Sequence, residues 1–231
     1  MVETMTLNEL DNVRSTLLNG VSRIHDQLPG YLFAHGSNAV PLILGSGPRA
    51  GAAAGVYFGQ GKFCAFGHNG YAYVLADHLS DTLFGNTSVL LKNCASWATN
   101  NAQNVTYMLH GVDKKGAKSF YNSIPGFSLN ETSYNAFDGD KRTLEYVDLL
   151  IINLNSVDSA TSQSVSMLDT FLRRGGGMII VSTAWAHSIT IPEKFPGNVF
   201  LAHAGVSWYT YYFTSPPMVS SISTPISELN P

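Results

Sequence analysis

The stretch Val147-Asp148-Leu149-Leu150-Ile151-Ile152-Asn153, answered further along by Phe171-Leu172-Arg173-Arg174-Gly175-Gly176-Gly177-Met178-Ile179-Ile180-Val181, decides the fold of this chain. The first run is continuously apolar at its centre, the pattern of a strand buried on both faces. Between Asp158 and Arg174 the apolar residues Val165, Leu168, Phe171 and Leu172 recur at helical spacing and mark one face of a helix. Strand, helix, glycine turn and strand make a βαβ unit, whose crossover is right-handed. Glycines 175 to 177 precede a strand, whereas phosphate loops follow a strand and open a helix. They read instead as a helix C-cap, with Arg173 and Arg174 near the negative end of the helix dipole.

Working outward, Val13, Leu17, Leu18 and Val21 predict a first helix closed by Gly20 and Pro29-Gly30. Short β-prone runs follow at Tyr31 to Ala34, Ala39 to Leu44, Ala52 to Phe58 and Lys62 to Gly67. The clearest hairpin signal is Val56 to Cys64, two arms around a glycine-bearing turn. A helix is expected across Leu83 to Ala98, a strand at Val105 to Leu109, a helix from Lys114 to Asn122 and an irregular stretch from Pro125 to Arg142. The carboxyl portion holds Asn198 to Ala202 and the aromatic run Trp208-Tyr209-Thr210-Tyr211-Tyr212-Phe213. Four prolines and five serines between Ser215 and Pro231 predict a tail or linker. The expectation is one α/β domain over residues 1–214: a three-layer sandwich with a mainly parallel central sheet and an amino-terminal addition rich in β-hairpins.

Composition narrows the function. The chain has 231 residues, 45% hydrophobic and 13% charged, with a formal net charge of −3. That gives ample core and neither a nucleic-acid footprint nor a polybasic membrane patch. The amino terminus lacks the pattern of a signal peptide, and no apolar run is long enough to span a bilayer. The expectation is a soluble protein, cytoplasmic or secreted in processed form. Cys64 and Cys94 sit in apolar contexts and read as buried free thiols. Sequons at Asn86, Asn104 and Asn130 would accept glycans in a secreted protein.

Several motifs occur in a fixed order. They are Leu18-Asn19-Gly20-Val21, Tyr57-Phe58-Gly59-Gln60-Gly61-Lys62 with Gly67-His68, Asn93-Cys94-Ala95-Ser96-Trp97, the Phe171 to Ile180 segment, Ala184-Trp185, Phe195-Pro196-Gly197-Asn198 and Ala204-Gly205-Val206. Together they resemble the amino-terminal domain of the TRP-melastatin channel-associated factors and of related enhancin-like zinc peptidases, over most of residues 13 to 220. The resemblance implies a class I glutamine-amidotransferase-like α/β sandwich, which in those relatives precedes a peptidase-like domain carrying HExxH. None of the seven histidines here starts such a motif, so the metallopeptidase activity does not carry over. The resemblance also implies a protein partner, a membrane protein or one rich in carbohydrate.

An amidotransferase needs a thiolate on a tight turn, a histidine base and an oxyanion hole. The expected elbow, Ser182-Thr183-Ala184-Trp185, has hydroxyls and no thiol. A serine version, with Ser182 or Ser188 as nucleophile and His187 or His203 as base, lacks the G-x-S-x-G context. His68, His78, His187 and His203 with Asp77, Asp138 or Asp140 lack ligand spacing, so no metal and no cofactor is expected. Gly67-His68-Asn69-Gly70-Tyr71 ends a strand, where open α/β sheets bind ligands, although a glycine-flanked Asn also suits a simple turn. The aromatic run, if it alternates, puts Trp208, Thr210 and Tyr212 on one face and Tyr209, Tyr211 and Phe213 on the other.

The reading is a non-catalytic binding or regulatory module with a protein partner and no nucleic acid, its oligomeric state open. The alternative is a small-molecule binder or atypical enzyme with a strand-end pocket of His68, Asn69, Trp185, His187 and Tyr209. A third is a secreted or stored structural glycoprotein. A protein binder requires an exposed aromatic patch, and the second reading requires a closed pocket with convergent polar groups.

Overall fold

The computed structural model describes residues 4–24, 29–44, 50–57, 60–74, 86–130, 144–157, 162–186, 194–212 and 218–219. Helix α1 (Leu7–Leu17) starts at a capping box in which Thr6 and Glu9 each satisfy the other's backbone N–H. Three hairpin-forming strands follow β1 (Gly30–Ala34): β2 (Ala39–Leu44), β3 (Ala50–Tyr57) and β4 (Gly61–Phe66). Helix α2 (Thr87–Ala98), β5 (Val105–His110), α3 (Lys114–Tyr121), β6 (Phe127–Leu129), β7 (Leu149–Asn153), α4 (Ser162–Arg173) and β8 (Gly177–Val181) build the α/β part. Helix α5 (Pro196–Leu201), β9 (Val206–Tyr212) and β10 (Met218–Val219) complete it.

Among the described residues ten strands form one mixed sheet, with the path β10-β2-β3-β4-β8-β7-β5-β6 and β1 joining β3 to β9. Strands β4, β8, β7, β5 and β6 are mutually parallel. The hairpin strands pair antiparallel and continue the same sheet through β3 and β4. Alternation along the buried strands sorts side chains into two layers. Leu149, Ile151, Ile179 and Val181 pack with residues of α1, α2 and α3, while Leu150, Ile152, Met178 and Ile180 pack with residues of α4 and α5. The result is the expected three-layer α/β sandwich.

The glycine turn that opened the sequence is a Schellman cap. Gly175 has φ +96°, Gly175 N–H donates to Leu172 O at 2.9 Å, and Gly176 N–H donates to Phe171 O at 3.0 Å. Two segments differ from expectation. Phe127–Leu129, within the stretch read as irregular, pairs in parallel with Val105 to Tyr107, because a three-residue edge strand leaves no alternating run to recognise. Met218 and Val219, within the stretch read as a tail, pair with Leu44 and Ile43 at the opposite edge of the sheet.

Candidate functional site

Strand order locates the place where an α/β sheet of this kind would bind a ligand. From β5 the chain passes through α3 to β6, and from β7 it passes through α4 on the other face to β8. The carboxyl ends of β5 and β7 therefore flank a topological switch point. There the loops after β5 and β7 pack closely on each other. Gly111, with φ +66°, lies so close to Ser156 that a Cβ would overlap its hydroxyl, and His110 Nε2 sits 3.4 Å from Ser156 O. Burial lowers the His110 pKa against the opposing effect of that carbonyl.

The stretch expected to carry an elbow is committed to structure as well. Ser182, fully buried, donates its hydroxyl to Asn155 Oδ1 at 2.8 Å, and Asn155 Nδ2 donates to Thr183 Oγ1 at 2.5 Å. Asn155 N–H in turn donates to Asn153 Oδ1 at 3.1 Å, so the ends of β7 and β8 are tied by side chains that bond one another. Cys64 in β4 and Cys94 in α2 are both buried free thiols within the same core cluster. Burial, together with the neighbouring Cys94, pushes the Cys64 thiol well up. Neither cysteine lies at a strand end, and the raised pKa of Cys64 opposes the thiolate that nucleophilic chemistry needs.

The sequence candidates separate into two groups. His68 and Asn69 follow β4, where His68 Nδ1 accepts from Gly70 N–H at 2.9 Å and caps a single turn of 3₁₀ helix. Trp185 follows β8 and approaches the same place, its ring 6.5 Å from that of His68 and 4.8 Å from that of Tyr212. It lies over Gly30, where a Cβ would come within 2.8 Å of Trp185 Cδ1. Tyr209 does not join them. Residues 187 to 190 lie outside the described residues, and with them His187 and Ser188; His78, Asp77, Asp138 and Asp140 do too. Among the described residues no group of three or more His, Cys, Asp or Glu is placed to hold a metal ion. His203 follows α5, near enough for its charge to act on Asp169 in α4.

Tyr209 belongs to an aromatic face formed by β1 and β9. These strands pair antiparallel with a shift in register between Gly30 and Leu32, where Gly30 faces Tyr212 and Leu32 faces Trp208. The extra residues on β9 make a bulge opposite Tyr31. Trp208 points inward and is 1% exposed, whereas Tyr209 is 44% and Tyr211 63% exposed. Their rings stack at 6.0 Å with planes 21° apart; Phe33 meets Tyr209 edge-on at 5.5 Å and Tyr31 lies 6.4 Å from Tyr211. Sequence alternation anticipated the two-sided strand but not the partners from β1. By contrast, an open depression of about 320 Å³, lined in part by Thr99, Asn100, Asp148 and Arg174, lies at the amino ends of the parallel strands.

Described residues of the shared motifs hold the elements together. Asn93 Nδ2 donates to Leu17 O at 3.0 Å and Asn19 O at 2.9 Å, fastening α2 to the end of α1. Lys62 lies 5.1 Å over the Trp97 ring and donates to Asn100 Oδ1 at 2.6 Å. Tyr57 donates its hydroxyl to Asp169, which also accepts from Arg173 Nε at 2.8 Å. Burial pushes the Asp169 carboxyl up, but hydrogen bonds from Arg173 and Tyr57 and the nearby cations hold it below its ordinary value. Arg174 donates to the carbonyls of Leu144, Glu145 and Val147, fixing the turn before β7. Asn198 Nδ2 donates to Trp208 O at 2.9 Å and Asn198 Oδ1 accepts from Trp208 N–H at 2.6 Å, while Gly197 leaves room for the indole. Of the sequon residues, Asn104 is exposed, Asn86 is half-buried with Oδ1 bonded to Ser22, and Asn130 is half-buried.

Solved structures of a much longer protein share this architecture. The metallopeptidase IMPa of Pseudomonas aeruginosa superposes with a TM-score of 0.68 at 19% identity, over 96% of this chain and 24% of that one. IMPa in complex with an O-glycopeptide gives 0.67 at 19% identity, with 96% and 24% covered. IMPa in complex with T-antigen gives 0.65 at 20% identity, with 96% and 25% covered. The chain thus spans about a quarter of those proteins, and the likeness is one of fold. No curated protein matches its sequence. The family model described as the TRPM8, N-terminal domain (TCAF_N) matches residues 1–218, and the chain belongs to that family.

Proposed function

We propose that this chain is a non-catalytic binding or regulatory module on an amidotransferase-like scaffold, and that its partner is a protein, in the first place a membrane channel. The observation that carries the reading is the exposed pair Tyr209 and Tyr211 on a face shared with Tyr31 and Phe33. Tyrosine supplies large, rigid contact area at small entropic cost, and exposed aromatic clusters are a mark of interaction surfaces. The family description, with its reference to TRPM8, supports a channel as the partner. The close packing at the switch point supports a binding rather than a catalytic role, as does Ser182, which is buried and donates to Asn155. Among the described residues no helix is long and apolar enough to cross a membrane, so a channel would be met from outside the bilayer by this part of the chain.

The test is hydrogen exchange on the protein alone and in complex with a purified TRP-melastatin channel. Protection concentrated in residues 30–34 and 206–212 supports the reading. Absence of a complex, or protection confined to residues 68–72 and 182–186, contradicts it.

One observation favours the small-molecule reading. Trp185 Nε1 is buried and has no hydrogen-bond partner among the described residues, beside His68. A ligand bearing an acceptor would satisfy it. Under that reading His68→Ala abolishes binding of a metabolite that copurifies with the protein; retention of the metabolite by the variant rejects it.

A further inference from the structure

We infer that Cys64 and Cys94, the two cysteines of the chain, close a disulfide between the central sheet and α2 when the protein folds in an oxidising environment. The bond is independent of the face that meets the partner. It follows from where the fold brings two residues that lie far apart in sequence.

The register of the sheet supplies one half of the geometry. Strands β4 and β8 pair in parallel, with Lys62 opposite Gly177 and Cys64 opposite Ile179. Residues two apart on a strand share a face, and Cys64 and Ile179 lie in the layer that also holds Leu91, Cys94, Ala95 and Ala98 of α2. Gly177 marks where that helix crosses: a Cβ there would come within 2.6 Å of Ala98 O and 3.1 Å of Ala98 Cβ. In the same row the Lys62 ammonium lies 5.1 Å over the Trp97 ring. The last turn of α2 therefore sits directly on the row of Lys62 and Gly177.

The helix supplies the other half. It connects β4 to β5, which run parallel, so it returns antiparallel to both. One turn before Ala98 and on the same face stands Cys94, about 6 Å back along the axis. Two residues beyond Lys62 stands Cys64, about 6–7 Å along the strand in the same direction. The two displacements match and place Cys94 over Cys64. Both side chains are fully buried, and their thiols share a hydrogen bond.

A disulfide needs its two Cα atoms within about 4.4–6.8 Å, closer than bulky side chains allow between a helix and a sheet. Gly177 and Ala98 remove that bulk where the elements cross, and Ala95 follows Cys94 while Ala54 pairs with Cys64. A low-molecular-weight disulfide such as oxidised glutathione supplies the oxidising equivalents. The thiolate of one cysteine attacks the donor's S–S bond and releases one thiol; the second cysteine attacks the mixed disulfide, closes the Cys64–Cys94 bond and releases the other. Two protons and two electrons pass from the protein to the donor. Burial raises the Cys64 pKa and covers both sulfurs, so the exchange belongs to folding, before α2 settles on the sheet. Asn93 of α2 holds the end of α1 through Leu17 O and Asn19 O, so the link secures α1 as well as α2.

The experiment refolds the intact chain from urea in a glutathione redox buffer, alkylates the remaining thiols in denaturant and reads the products by mass spectrometry. The expected product is lighter by about 2 Da, the two hydrogens given up, takes no alkyl group and yields one linked pair of peptides containing Cys64 and Cys94. For a closed loop of about 30 residues in a domain of this size, the bond should raise Tm by roughly 7–14 °C over the reduced chain. Cys64→Ala and Cys94→Ala should each abolish that redox-dependent rise; where either fails to fold, the oxidised and reduced forms of the unaltered chain carry the comparison. Two alkylated cysteines, glutathione attached to each of them, or a linked chain whose Tm is no higher than that of the reduced form overturns the inference.

Discussion

Replacing Asn198 by alanine should loosen β9, the strand that carries the exposed tyrosines. Asn198 accepts from Trp208 N–H at 2.6 Å and donates to Trp208 O at 2.9 Å, so its amide stands in for a neighbouring strand at that point. Each bond contributes about 1 kcal/mol net, and leaving the two backbone groups beside the 1% exposed Trp208 without partners adds a desolvation cost of about 1–3 kcal/mol, reduced where water reaches the half-buried site. The loss works out at about 2–4 kcal/mol, a large part of the 5–15 kcal/mol that typically holds a domain together. For a domain of this size it lowers Tm by roughly 4–16 °C, at about 2–4 °C per kcal/mol. Urea unfolding followed by circular dichroism measures it as a lower midpoint with unchanged slope. Asn198→Asp supplies a sharper control. Its carboxylate still accepts from Trp208 N–H but faces Trp208 O, where only a protonated acid can donate. Its folded pKa is therefore raised, so its stabilising bond is present at acid pH and lost as pH rises through that value. A loss for Asn198→Ala below about 1 kcal/mol, within the range of ordinary surface changes, would refute the reasoning.

Gly61→Ala and Gly175→Ala separate two uses of glycine. A Cβ at Gly61 would overlap the Leu172 carbonyl, so the cost is that of overpacking against backbone, about 1–3 kcal/mol, whereas Gly175 has open space around it and loses only about 1–2 kcal/mol to its φ of +96°. Differential scanning calorimetry of the two variants checks this, and an unaffected Gly61→Ala protein would contradict the packing described. Asp169 has a folded pKa below its ordinary value, so its contribution is complete above the ordinary aspartate range and is lost as pH falls through the folded value. Asp169→Asn should therefore be less stable than the unaltered protein at pH 7, with the gap closing in acid; a gap that is constant between pH 7 and pH 2 would show that the carboxylate charge contributes nothing.

Much of the scaffold is legible in the sequence for identifiable reasons. Leu149 to Asn153 and Gly177 to Val181 are buried on both faces, which leaves a continuous apolar signal, and the triple glycine marks the cap between α4 and β8. Helix α5 is obscure because it has six residues and Phe195 at its N-cap makes no side-chain cap. The alternation of β9 predicts that Tyr209 and Tyr211 share a face, yet the bulge against β1, which decides what lies beside them, depends on pairing with a distant strand. The same limit applies to the group of His68, Asn69, Trp185 and Tyr209. Position near strand ends was visible, but the register that sends Tyr209 outward and brings Tyr212 against Trp185 was not. Asn198 occurs in a recognisable motif, while its bonding to Trp208 emerges only when α5 meets β9.

The central claim is that recognition resides on the β1–β9 face and not at the strand ends. Affinity for a purified TRP-melastatin channel, measured side by side for the unaltered chain, Tyr209→Ala/Tyr211→Ala and His68→Ala, tests it most directly. The account predicts that the double tyrosine variant loses at least about tenfold in affinity while His68→Ala binds as the unaltered chain does. Full affinity in the tyrosine variant, with binding abolished by His68→Ala, would contradict it.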